Sequence, residues 1–82
     1  MHNKPLADIK DIVKSCFPSK KKNSRHYYVI FQNHAAFYKI NSNDARLMKI
    51  IEESRNNREE IKVFYDIRDL EINEIEKLKC EK

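Results

Sequence analysis

Apolar and polar positions follow two different periods along this chain, and the switches between them predict its elements. Residues 26–32 (HYYVIFQ) are dense in β-branched and aromatic side chains, which predicts a strand. Asn33-His34 reads as a tight turn, and residues 35–40 (AAFYKI) as the returning strand, with Ala36, Tyr38 and Ile40 on one face. The period then changes. Leu47, Ile50, Ile51 and Ser54 recur at helical spacing, so a helix packing one face on the sheet is expected there. Ser42 or Asn43 is placed to N-cap it, Asp44 would sit in its first turn, and Asn56-Asn57 can end it where a glycine usually would. Residues 60–66 (EIKVFYD) return to strand spacing, with Ile61, Val63 and Tyr65 on one face. After a turn at DIRD, LEINEIEKL predicts the last strand. Its apolar phase slips between Ile72 and Ile75, which a bulge or a helical tail would explain.

Residues 6–17 (LADIKDIVKSCF) fit both periods. Leu6, Ile9, Val13 and Phe17 make a helical stripe, while Ile9, Val13 and Phe17 also share one face of a strand. Pro18 ends either element. Read as a strand, this stretch completes the order of a small OB-type barrel. The expected architecture is therefore α+β and mainly β: one domain over residues 1–82, an OB-like five-stranded barrel with one helix between strands three and four, and 6–17 still open to a helical alternative. Such an order favours a binding module over an enzyme, because OB barrels present a binding face rather than a deep cleft.

Composition narrows this further. Eighty-two residues bury only roughly 60–65% of their unfolded surface, leaving little room for an active site behind a lid. Glycine is absent, so turns must use Asn, Asp, His and Ser. The net charge is +4 and uneven: residues 1–41 hold eight Lys/Arg and two Asp/Glu (+6), residues 42–82 hold nine and eleven (−2). A basic half favours polyanionic partners, although a charge of this size is also ordinary for a soluble surface. No apolar run approaches membrane-spanning length. The opening MHNKPLADIK has no apolar signal-peptide core, so a cytoplasmic protein is expected, or a secreted one if a signal has been removed.

Two cysteines, Cys16 and Cys80, cannot make a four-ligand metal site. They could pair, closing nearly the whole chain for about 4 kcal/mol on a loop-entropy estimate. Two reduced thiols are the alternative that a cytoplasmic location favours.

Tyr38-x-Ile40, the helix with Met48 and Ile51, Ile61-x-Val63-x-Tyr65-Asp66 and Ile72-x-x-Ile75 together resemble small bacterial OB-like proteins, similar to the B subunits of A–B toxins. The resemblance covers about half the chain. The ending Glu76-Lys77-Leu78-Lys79-Cys80 is similar to the Glu-Lys-Leu-Cys strand of cholera-type subunits, where a disulfide joins that cysteine to one near the N-terminus; this implies the same role for Cys16. It also implies a self-assembling subunit that binds a glycan or a partner protein. The chain departs from the family in being shorter before residue 26 and in lacking the tryptophan that often lines the sugar site.

No catalytic motif is present, no cofactor is implied, and an enzyme is not expected. His2, His26 and His34 lack the spacing of a helical zinc site, though His26 and His34 could meet across the hairpin. Asp66, Asp69, Glu71, Glu74 and Glu76 read as a solvated face. The best constellation is Lys20, Lys21, Lys22 and Arg25 followed by aromatics. Lysines neutralise phosphates while aromatic rings stack on bases, so single-stranded nucleic acid or another polyanion is the expected ligand. With Val29 and Phe31 inward, Tyr28 and Ile30 are left outward. Lys62 and Phe64 likewise lie opposite Ile61 and Val63, so Tyr28, Ile30, Lys62 and Phe64 would form one aromatic-basic patch. The competing reading of that patch is a subunit interface.

Overall fold

The computed structural model describes residues 6–20 and 25–78. Six strands and one helix follow in the order β1 (Leu6–Asp11), β2 (Val13–Pro18), β3 (His26–Phe31), β4 (Phe37–Asn41), α1 (Ala45–Asn57), β5 (Ile61–Asp66) and β6 (Ile72–Lys77). They form two antiparallel three-stranded sheets, ordered β1-β5-β6 and β2-β3-β4. The stretch 6–17 is thus extended, not helical, but it is two strands serving two sheets.

The closed five-stranded barrel does not form. The chain breaks at Ile12, whose N–H is taken by the Asp11 carboxylate at 2.7 Å and whose carbonyl accepts from Gln32 N–H at 3.0 Å. Both groups turn away from a continuous ladder, and the chain passes from one sheet into the other. On the far side β4 and β6 meet through one isolated parallel bridge, Lys39 with Glu71, and Lys39 N–H donates to the Leu70 carbonyl at 2.8 Å. The two sheets stay open and α1 packs against β2, β4 and β6.

Two bulges set which side chains enter the core. In β2 the register to β3 shifts between Val13 and Ser15, so Lys14 is the extra residue. Val13 therefore faces inward opposite Phe31, while Ser15 and Phe17 fall on the outer face opposite Ile30 and Tyr28. The expectation that Val13 and Phe17 share a face is corrected by this single residue. In β6 the shift lies opposite Phe64/Tyr65, where Phe64 pairs Glu74 and Tyr65 pairs Ile72. Asn73 is the extra residue, and it lets Ile72 and Ile75 both point inward. The phase slip in the sequence is a bulge.

The core is continuous between the sheets and the helix. Val29, Ile40 and Val63 are fully enclosed, with Phe31 and Ile51 nearly so. Leu47, Ile50, Ile51 and Ser54 form the buried face of α1. The N-cap is Asp44 itself, accepting Leu47 N–H at 3.2 Å, not Ser42 or Asn43. At the other end the helix runs through Asn56 and Asn57, and Arg58 takes the left-handed conformation at φ 56°.

Candidate functional site

The outer face of the β2-β3-β4 sheet carries the most distinctive surface among the described residues. Directly opposed residues in an antiparallel pair share a face, so Phe17, Tyr28 and Lys39 lie in one row, with Ile30 and Phe37 in the next. Tyr28 stands on the central strand, with Phe17 and Phe37 on the strands either side. The three ring centroids form a near-equilateral triangle: 5.9 Å between Phe17 and Tyr28, 6.0 Å between Tyr28 and Phe37, and 6.1 Å between Phe17 and Phe37. The rings are tilted or edge-on to one another, at 53° to 79°. Phe37 remains 58% exposed and Phe17 37%. Neither the helix nor the second sheet covers this face.

The structure divides the expected patch. Tyr28 and Ile30 belong to the triad face. Lys62 and Phe64 lie on the outer face of the other sheet, where the Lys62 ammonium sits 5.3 Å from the Phe64 ring and 3.6 Å from Asp8. Lys20 and Arg25, both exposed, flank the β2–β3 connection, while Lys21 and Lys22 lie outside the described residues. Cys16 is half-buried on the inner face of β2, and the pairing with Cys80 that the resemblance implies falls outside the described residues.

Sequence reasoning passed over two residues of the triad. Phe37 was legible, since placing Ala36, Tyr38 and Ile40 on one face puts Phe37 on the other. Phe17 was not, because the Lys14 bulge inverts the phase that assigned it to the core.

A second cluster was also missed. Asp11 is buried at 1% exposure where β1 gives way to β2, and its carboxylate accepts four hydrogen bonds. These come from Ile12 N–H at 2.7 Å, Asn33 N–H at 2.9 Å, Asn33 Nδ2 at 3.0 Å and His34 Nδ1 at 2.6 Å. Burial pushes the Asp11 carboxyl up, but the bonds from His34, Ile12 and Asn33 outweigh it and hold it below the ordinary carboxylate value. An ionised carboxylate only accepts, so His34 Nδ1 carries a hydrogen. The pair ties the β3–β4 turn to the crossing between sheets. Nearby, burial first and then Tyr65 and Asp11 push the Tyr38 phenol up. Orientation of an imidazole by a carboxylate is half of a catalytic triad; among the described residues no nucleophile is bonded to His34.

His26 instead meets Glu71 at 3.6 Å, so the two hairpin histidines have separate partners. Among the described residues no three His, Cys, Asp or Glu side chains converge as metal ligands. The acidic run is only partly a solvated face: Asp66 is buried and takes three bonds from Arg68, while Glu74 pairs Arg46. An open groove of about 490 Å³ runs along α1 beside β2 and β3, lined by Cys16 and Tyr27 from the strands and by Met48, Lys49, Glu52 and Arg55 from the helix. Burial pushes the Cys16 thiol up, against a smaller opposing effect of Arg55, so it is a poor nucleophile. No helix among the described residues is long and apolar enough to cross a membrane.

No protein-family model matches the chain, and no curated protein matches it in sequence. Among solved structures it is similar to pro-protein-glutaminase, with a TM-score of 0.74 and 18% identity over 92% of this chain. A mutant of that protein gives 0.73 and 17% over 90%. The chain spans 26% of the length of both, so the likeness shows a shared fold over one part of a longer protein.

Proposed function

We propose that this chain is a non-enzymatic docking module that holds a partner protein against the outer face of its β2-β3-β4 sheet. The observation that carries the reading is the Phe17–Tyr28–Phe37 triad: three rings from three adjacent strands, packed on one another, with Phe37 58% exposed. Cross-strand ring contacts stabilise the sheet only modestly, while an uncovered aromatic cluster risks aggregation, so such patches mark surfaces that are covered in use. Aromatic rings are also the side chains that dominate binding energy at protein interfaces.

The similarity to pro-protein-glutaminase supports a module reading in a limited way. There the fold occupies about a quarter of a longer chain, and the name is that of the pro-form of an enzyme. The polyanion reading is weakened by the separation of Lys62 and Phe64 from Tyr28 onto a different sheet.

The test is site-specific photo-crosslinking in cells that naturally make the protein. A benzophenone amino acid at position 37 is expected to trap a partner protein, and the same group at position 64 to trap none. A nucleic-acid adduct at position 37, or equal labelling at both positions, would refute the docking reading.

A further inference from the structure

We infer that the docked partner presents an acidic segment built around a bulky apolar anchor, with Asp or Glu flanking a Leu or Phe. The inference rests on the docking reading above and specifies the chemistry of what docks. It stands on two observations: the charge content of one sheet and the tilt of three rings.

From Ile12 to Asn43 the chain contains no Asp or Glu, and this stretch includes all of β2, β3 and β4. Its described cations are Lys14, Lys20, Arg25 and Lys39, and none of them makes an ion pair with another described residue. Lys39 lies directly opposite Tyr28 on the triad face. Two acids from outside the sheet approach it, Glu71 beside Lys39 at the β4–β6 bridge and Asp11 at the sheet crossing. Glu71 meets His26, and the buried Asp11 is engaged by Asn33 and His34. Elsewhere cations and acids alternate along the chain, and some pair directly, with Asp8 on Lys62, Glu74 on Arg46 and Glu53 on Lys77. With four described cations and no acid of its own, the sheet that exposes the aromatic triad carries a positive excess that one neighbouring acid, Glu71, does not cancel. Complementary negative charge on a partner would set its orientation and speed its approach.

Ring geometry separates a protein from a nucleic-acid strand. Successive bases stack on aromatic faces that lie open along a groove. Here the three rings lean against each other at 53° to 79° with centroids about 6 Å apart, so each blocks part of its neighbour's face. The result is one faceted apolar patch suited to a single bulky side chain in a protein interface.

The experiment is an NMR titration of the isotope-labelled chain with three probes. The first is a short peptide of Asp and Glu around a central Leu-Phe pair; the second is the same peptide with Asn and Gln for the acids; the third is an oligothymidine of equal charge. The acidic peptide is expected to shift Phe17, Tyr28, Ile30, Phe37 and Lys39. Phe37→Ser should weaken it about thirtyfold, as loss of an interface hot spot does. Lys39→Glu should weaken it about tenfold, with the loss fading at high salt. The side chain of Phe37 is exposed, so the Phe37→Ser spectrum should stay dispersed. Equal affinity for the amide peptide at the same residues overturns the acidic requirement and leaves the docking reading standing. Shifts that map elsewhere, or full affinity in Phe37→Ser, overturn both. Tighter binding of oligothymidine than of the acidic peptide at this face overturns the choice of a protein partner.

Discussion

Asp11 shows how much one side chain can decide in a domain of this size. Its buried carboxylate satisfies four donors that have no other described partner in the same place. Asp11→Ala should therefore destabilise the protein by about 3 kcal/mol, through loss of the charged bonds that tie the β3–β4 turn to the sheet crossing, as urea unfolding would show. The sign of the pH dependence follows from the lowered folded value. Asp11 stabilises above its ordinary value of 3.8, and that contribution is lost as pH falls through the lower folded value. The wild-type protein should lose stability on acidification below about pH 4, and Asp11→Asn should lose much less over the same range. Ser54 plays a similar part inside α1, accepting from Val13 N–H at 3.1 Å and donating to the Glu59 carbonyl at 2.6 Å. Its helical position was readable from spacing. Its hydroxyl partners, 41 residues upstream in one case, were not, because a hydrogen bond across the fold leaves no periodic trace.

Elements begin and end where backbone geometry demands it, and this chain meets those demands without glycine. Arg58 closes α1 at φ 56°, a conformation that costs a side-chain-bearing residue about 1 kcal/mol. Arg58→Gly should raise stability by about 0.5–1 kcal/mol, visible as a higher midpoint in urea with an unchanged slope. Asp44→Ala should cost about 1 kcal/mol through loss of the N-cap bond to Leu47. The sequence marked the helix, its buried face and its approximate ends, and it marked four of the strands correctly. It placed the cap one or two residues early because Ser42, Asn43 and Asp44 are all good caps, and only backbone geometry separates them. The break at Ile12 was invisible for a related reason. Residues 6–17 alternate well enough to be one strand, and what divides them is the Asp11 carboxylate on Ile12 N–H together with a hydrogen bond from Gln32, just beyond β3.

Taken whole, the molecule is two open sheets sharing one core, with an aromatic face bordered by Lys39 on one of them. Because that face lies outside the core, its residues should matter more for binding than for stability. The double change Phe17→Ser with Phe37→Ser is expected to cost about 1–2 kcal/mol of unfolding free energy, from the lost ring contacts, while abolishing crosslinking at the face. Val29→Ala, directly beneath on the inner face, should cost about 2 kcal/mol or more in the same unfolding experiment. A result in which both changes were equally destabilising would place the triad in the fold and not in an interface.

Local periodicity and composition were enough to establish a mainly β domain with one amphipathic helix, an inward Val29–Phe31 stripe and a basic first half. Those features depend on neighbours in sequence, and apolar spacing reports them directly. Three others depended on pairing between distant residues: the division into two sheets, the side on which Phe17 emerges and the assembly of the triad. A single unpaired residue, Lys14, reverses every side chain that follows it in β2, and nothing in the local pattern distinguishes it from its neighbours. The expected patch failed for the same reason, since Lys62 and Tyr28 each face outward as anticipated, but from different sheets whose relation is set by the core between them.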